Sequence, residues 1–267
     1  MSTDDEALGE RTLREVLSYL LHESWDKTTP EMGTNVHRIV KKITGNRDPY
    51  EKLKRQYNEM ASNLYPKLKK VVESSEDSLL TAVKVAIAGN SIDFGPRIKI
   101  DLGKEVQRVL NSELSISDID EFKKSLRRVE EVLYLADNAG ETFFDRILIE
   151  ELMKMGINVT YVVKGAPILN DATLQDAEAA GITKIARVIS TGTDCTGILL
   201  KECSREFLEE FRRSKMIISK GQGNYESLND IKNKEIFFLL KVKCPIVARI
   251  ISVEVGSTIL KRVFNRG

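Results

Sequence analysis

Two apolar runs, Glu131-Val132-Leu133-Tyr134-Leu135-Ala136 and Val159-Thr160-Tyr161-Val162-Val163, are rich in β-branched and aromatic residues and too short for helices. Both read as buried strands, and each leads into a short polar segment followed by a helical pattern. After the first comes Asp137-Asn138-Ala139-Gly140-Glu141. After the second, past Lys164-Gly165-Ala166-Pro167, comes Asn170-Asp171-Ala172-Thr173. A strand that ends on polar residues ahead of a helix is the repeating unit of a parallel α/β sheet, whose sites form outside the carboxyl ends of the strands.

That pattern continues through the second part of the chain, with strands expected at 131–136, 158–163, 185–189, 215–219 and 235–241 and amphipathic helices between most of them. The alternation implies a mainly parallel sheet with right-handed crossovers and both faces covered. From Leu8 to about Ala88 the pattern is helical instead. Leu13, Val16, Leu17, Leu20 and Leu21 form one stripe, and Leu53, Tyr57, Met60, Leu64, Leu68 and Val71 another. Gly33-Thr34-Asn35 is read as opening a helix that Gly45-Asn46 closes, Asp48-Pro49 as starting the next, and Ser78 to Ala88 as a third that stops at Gly89-Asn90. Ser115 to Arg128 reads as a further capped, charged helix. The expected organisation is a helical N-terminal subdomain over 1–88 and an α/β catalytic domain over 89–267. Residues 190–204 form a connector of unusual length, and long ordered loops are often functional.

Composition narrows the function. With 41 basic and 40 acidic residues, the net charge of +1 creates no global field to recruit nucleic acid or an anionic membrane, so an anionic ligand needs a local site. Cys195, Cys203 and Cys244 have neither a disulfide-framework nor a zinc-pair spacing and read as buried small hydrophobes in a reducing cytosol. The polar start and the lack of a membrane-length apolar run point to a cytoplasmic protein. His22 and His37 lie among charged helical neighbours and read as solvated, which removes a serine-histidine triad and a two-histidine metal centre.

Asp137, Asn138 and Asp171 are then the candidate chemistry. Either acid alone reads more naturally as a helix cap. Two of them at the ends of neighbouring strands face one crevice, and two carboxylates with an amide suit a hard divalent cation such as Mg²⁺ or Mn²⁺. Glu141 assists that site or simply occupies the first turn of its helix. Lys220-Gly221-Gln222-Gly223-Asn224-Tyr225-Glu226 follows another apolar run, and Lys220 there is a natural point charge for phosphate. Gly89-Asn90-Ser91-Ile92-Asp93-Phe94-Gly95 joins the two parts of the chain. Its Asn90 and Asp93 are either ligand contacts or a turn bonding its own backbone.

Taken in order, Gly-Asn-Ser-Ile-Asp-Phe-Gly at 89–95, Asp-Asn-Ala-Gly-Glu at 137–141, Lys-Gly-Ala-Pro-Ile-Leu-Asn-Asp-Ala-Thr at 164–173, Lys-Gly-Gln-Gly-Asn-Tyr-Glu at 220–226 and Val-Lys-Cys-Pro at 242–245 resemble the metal-dependent damage-control phosphatases, once called domain of unknown function 89. The resemblance implies an all-α N-terminal part packed on a three-layer α/β/α sandwich. It also implies a divalent metal (Mn²⁺, Mg²⁺, Co²⁺ or Ni²⁺) held by Asp137, Asn138 and Asp171, and hydrolysis of phosphate esters such as damaged or surplus sugar phosphates. The substrate contacts would be Asn90, Asp93, Glu141 and Lys220. Asp137 would act as ligand and nucleophile, or only orient metal and water. One feature departs from the family pattern: no Cys-x-x-Cys pair precedes Leu8. Two rivals remain at this stage. A non-catalytic module that binds a phospho-metabolite would use the same lysine and glycines. A methyltransferase would need an early glycine-rich loop where Asp137-Asn138-Ala139-Gly140 has a single glycine.

Overall fold

Alternate residues of the central strands enter two separate apolar cores, because helices cover both faces of the sheet. Val132, Tyr134 and Ala136 join one core, while Leu133 and Leu135 join the other. The computed structural model describes residues 2–90 and 102–264. Helices α1 (Glu6–His22), α2 (Thr29–Thr44), α3 (Glu51–Glu73), α4 (Ser78–Asn90) and α5 (Leu102–Asn111) come first. There follow β1 (Ile116–Ser117), α6 (Ile119–Leu126), β2 (Glu131–Leu135), α7 (Glu141–Lys154), β3 (Asn158–Val163), α8 (Leu174–Ala179), β4 (Arg187–Ser190), α9 (Arg205–Arg213), β5 (Met216–Lys220), α10 (Gln222–Leu228), β6 (Glu235–Lys241), α11 (Pro245–Ile251) and β7 (Thr258–Phe264).

The strands form one sheet in the order β1-β7-β6-β5-β2-β3-β4, parallel except for the antiparallel β6–β7 pair. One core packs α3, α4, α6 and α7 on one face, and the other packs α9, α10 and α11 on the opposite face. The result is a three-layer α/β/α sandwich with a helical N-terminal region. From β2 the chain builds outward through β3 to β4, then crosses back through α9 to place β5 on the other side of β2. The boundary between β2 and β5 is therefore a topological switch point, where loops diverge above the sheet and leave a crevice at its carboxyl edge.

Several local expectations are corrected. α2 begins at Thr29, not at Gly33, because Thr28 and Glu31 form a reciprocal capping box with Pro30 in the first turn. Gly45 closes that helix in the left-handed conformation, as the sequence pattern suggests. The segment read as one helix from Ser115 to Arg128 first lays Ile116 and Ser117 against β7 and only then turns into α6. Strand β7, absent from the sequence reading, pairs along the whole of β6. In α1 the apolar stripe is split: Leu13, Leu17 and Leu21 are exposed, while Val16 and Leu20 are half-buried. In α3 the buried side is Lys54, Tyr57, Ala61, Leu68 and Val72, leaving Met60 and Val71 exposed. Cys195 is buried, but Cys203 and Cys244 are half-buried. His37 is half-buried edge-on to Tyr50, so burial pulls its pKa below the usual imidazole value.

The long 190–204 connector ties α2 to the sandwich. Arg38 pairs with Asp194 and Glu202 at 2.7 and 2.8 Å, and Lys41 pairs with Asp194 at 2.5 Å. Among the described residues no helix is long and apolar enough to cross a membrane.

Candidate functional site

Backbone pairing brings the two polar strand-end segments together. Ala172 N–H donates to the Asp137 carbonyl and Ala139 N–H to the Asn170 carbonyl, each at 2.8 Å, so Asn138 and Asp171 sit opposite one another in an antiparallel bridge. This is the non-hydrogen-bonded kind of pair, in which the two side chains stand close together on one face. Neither acid caps a helix. Gly140 precedes α7, and Thr173 caps α8 through a reciprocal box with Asp176. The carboxylates of Asp137 and Asp171 are thus left for other partners.

Asn138 Nδ2 donates to Asp137 Oδ2 at 2.9 Å and to Glu141 Oε1 at 2.7 Å. Asn90, at the buried end of α4, donates through Nδ2 to the same two acceptor atoms at 2.6 and 3.1 Å, while its Oδ1 accepts from Lys241 N–H. The Glu141 carboxylate, held by the Lys220 ammonium, accepts, so both amides turn their nitrogens toward it and toward Asp137 beside it. The Oδ1 of Asn138 consequently points away from the carboxylates. Gly221, directly after β5, has φ of 80°, and a Cβ there would lie 2.0 Å from Asp137 Oδ2. The missing side chain lets β5 and β2 close up at the switch point with the carboxylate between them.

Behind this layer, Lys220 has no exposed surface and places Nζ 2.9 Å from Glu141 Oε2 and 2.7 Å from Asp145 Oδ1. Asp145 also accepts from Tyr134 Oη at 2.7 Å and Tyr161 Oη at 2.8 Å. Lys164, buried at the end of β3, has Nζ 3.5 Å from Asp171 Oδ2 and donates to the Gly197 carbonyl. Burial, reinforced by Glu141 and Asp171, pushes the Asp137 carboxyl well above its usual range. Burial lifts Asp171 to about 6, with Lys164 pulling against it and Glu141 adding to it.

Among the described residues no group of three or more His, Cys, Asp or Glu side chains is arranged to hold a metal ion. What the site gathers is two carboxylates and one carboxamide, a donor set of oxygens. Among the described residues, Asp137, Glu141, Asp171 and Asp145 are faced by the buried cations Lys164 and Lys220 and by Lys54, which acts on Asp171 while itself paired with Asp48, and the remaining excess of negative charge is what a hard divalent cation offsets. The residues present therefore fit such an ion.

Of the residues singled out from sequence, Asp137, Asn138, Asp171, Asn90 and Glu141 converge here. Asp93 lies outside the described residues. Lys220 is placed differently from the sequence reading. Its ammonium faces two carboxylates in the interior, where it acts as their counter-ion, and Glu141 likewise has no exposed surface. Lys243 is exposed and near enough to pull the Asp137 pKa downward. Sequence reasoning missed Lys164, Lys243 and Asp145. A signal existed for two of them: Lys164-Gly165 repeats the strand-end Lys220-Gly221 arrangement, and Asp145 follows Glu141 by four residues, on the same face of α7.

Comparison with known proteins shows the family. The model of the damage-control phosphatase ARMT1-like domain matches residues 1–259. The chain belongs to this family. It is 42% identical to an uncharacterized protein of Methanocaldococcus jannaschii, over 97% of this chain and 88% of that one. It is 39% identical to a damage-control phosphatase of Pyrococcus horikoshii, over 98% and 91% of the two chains. A crystal structure of a DUF89 family protein from Pyrococcus horikoshii superposes with a TM-score of 0.88 at 37% identity, covering 98% of this chain and 92% of that chain. Family membership thus accounts for the ordered motifs, and each described motif is found at the sheet's carboxyl edge or on the elements that flank it.

Proposed function

We propose that this protein hydrolyses phosphate esters of small metabolites, using a divalent cation held by Asp137, Asn138 and Asp171. The observation that carries the reading is the bridge between the two strand-end segments at the switch point, which pairs Asn138 with Asp171 beside Asp137 in a cluster short of positive charge. The P. horikoshii and Archaeoglobus fulgidus relatives named damage-control phosphatases support the same chemistry. Held by these residues, a divalent cation would supply Lewis-acid polarisation of a phosphoryl oxygen and a lowered pKa for water at the site. The exposed Lys243, felt by Asp137, attracts the phosphate dianion, and Lys164 holds the Asp171 carboxylate in place. Asn90 and Asn138 fix Asp137 by charge-assisted hydrogen bonds, so one face of that carboxylate is held while its remaining lone pairs serve the reacting centre.

The direct test is phosphate release from a panel of sugar phosphates and an aryl phosphate by chelator-stripped protein resupplied with Mg²⁺, Mn²⁺, Co²⁺ or Ni²⁺. Metal-restored turnover is the expected result. Saturable binding of a panel member without release under any metal would replace the reading with that of a binding module.

A pH dependence follows from Asp171. Its folded pKa of about 6 lies above the usual aspartate value, so in metal-free protein the native state retains a proton that the unfolded state has lost. Thermal stability of the stripped protein should therefore fall as pH rises through the interval up to about 6. Added cation competes with that proton, so its apparent affinity should weaken as pH drops through the same interval. Calorimetric melts with and without Mn²⁺ across this range check both signs; a flat metal-free profile would refute the expectation.

A further inference from the structure

Beneath the crevice lies a group of ionised side chains that touches no solvent. Lys220, Glu141 and Asp145 are each fully buried, with the ammonium lodged between the two carboxylates. Burying charges in this way is a poor route to stability, since well-packed apolar side chains of similar volume do as well or better. Asp145 is also held from the far side. Tyr134 Oη binds Oδ1, Tyr161 Oη binds Oδ2, and burial keeps both hydroxyls protonated as donors far above the usual phenol range. Both tyrosines stand on the paired strands β2 and β3 with rings 5.3 Å apart, so Asp145 is fixed to the sheet and not merely to its own helix. From it the contacts run outward without a gap: Asp145 to Lys220, Lys220 to Glu141, Glu141 to the amides of Asn138 and Asn90, and these to Asp137.

We propose that Asp145 is a positioning residue for the cation site: anchored by Tyr134 and Tyr161, it holds Lys220 against Glu141, and Glu141 in turn sets the Asn138 amide so that its Oδ1 faces the crevice. The assignment rests on the cation-holding reading of Asp137, Asn138 and Asp171 and deepens it. Two effects act together. Without the Asp145 charge, Lys220 has one carboxylate in place of two, and its ammonium draws Glu141 inward, loosening the acceptor that orients Asn138. The surroundings of the cation also become more positive by one charge. Outer partners of metal ligands typically control affinity by about 10- to 100-fold.

The test measures Mn²⁺ binding directly, by electron paramagnetic resonance on the full chain, beside phosphate release and thermal melts. Variants are Asp145→Asn, the double variant Tyr134→Phe with Tyr161→Phe, and Asp171→Ala as the control that removes a ligand. Asp145→Asn is expected to weaken Mn²⁺ binding by about 10- to 100-fold. Its kcat should fall, its substrate KM should stay near the wild-type value, and it should still melt cooperatively. The tyrosine double variant keeps every charge and is expected to show a weaker loss in the same direction, which carries the test if Asp145→Asn does not fold. Wild-type Mn²⁺ affinity and kcat in both folded variants would overturn the positioning role. Absence of Mn²⁺ binding by the wild type would instead overturn the cation reading, and this assignment with it.

Discussion

Asp171→Ala is expected to abolish metal-dependent phosphate release, with a loss of at least about 10³-fold, or about 4 kcal/mol of transition-state stabilisation. Alanine removes one of two carboxylates that face the crevice and leaves Asp137 as the remaining charged donor among the three residues assigned to the cation. The fold should survive, because Thr173 and Asp176 cap α8 without help from Asp171, and the backbone bridge to Asn138 uses no side-chain atoms. Melts with and without Mn²⁺ give an independent sign. Burial raises the Asp171 pKa, so its ionised form is disfavoured in the metal-free native state at neutral pH. Removing it relieves that cost but leaves the buried Lys164 without its carboxylate partner, so the decisive quantity is the stabilisation that Mn²⁺ confers, which should shrink relative to the wild type. Phosphate release and paired melts measure both. A folded variant that retains turnover would remove Asp171 from the site.

Gly221→Ala is expected to produce the second large effect by a different route. The new Cβ would stand 2.0 Å from Asp137 Oδ2 and 2.2 Å from Asp137 Cγ, closer than any tolerated contact, so the carboxylate must leave its place between the Asn90 and Asn138 amides. Misplacing a reacting group by about 1 Å costs roughly 10²-fold in rate, and a loss of that order or greater is expected in kcat. With φ 80° and ψ 160° the backbone there lies in a region essentially reserved for glycine, which adds strain of about 1–3 kcal/mol in stability. Gly256→Ala separates these contributions. Gly256 also has a positive φ, of 94°, but a Cβ there meets nothing within 4 Å. It should carry a positive-φ strain cost of its own and keep the activity. Equal activity in the two variants would show that the approach of Gly221 to Asp137 is unimportant for turnover.

Both predictions depend on a site only partly visible in the linear chain. The strand-end acids were legible because a buried strand leaves a simple signature, a short apolar run that stops on polar residues, and β2 and β3 keep it. Strand β7 was not. Its Lys261 and Arg262 interrupt the apolar run, and as an antiparallel partner it depends on hydrogen bonds to β6, which lie in a separate segment of the chain. The apolar residues of α1 announced a helix but not which side would be covered: α1 packs on α2, and of its stripe Val16 is half-buried while Leu13 is exposed.

Lys220 makes the same point at the level of chemistry. A lysine at a strand end beside glycine is equally suited to a phosphate or to buried carboxylates, and its composition and spacing do not change between the two. The direction its side chain takes does. Residue 220 falls on the same face of β5 as Ile218, toward α7, where Glu141 and Asp145 wait one helical turn apart. Local sequence determined the α/β alternation, the polar strand ends and the oxygen-rich donor set, because these are set by side-chain chemistry within a few residues. Only the tertiary structure decided that β5 returns beside β2, that Gly221 closes on Asp137, and that Lys220 and Asp145 stand behind the site. Those relations join segments about 80 residues apart in sequence, and they exist only once the two apolar cores have packed the helices onto the sheet.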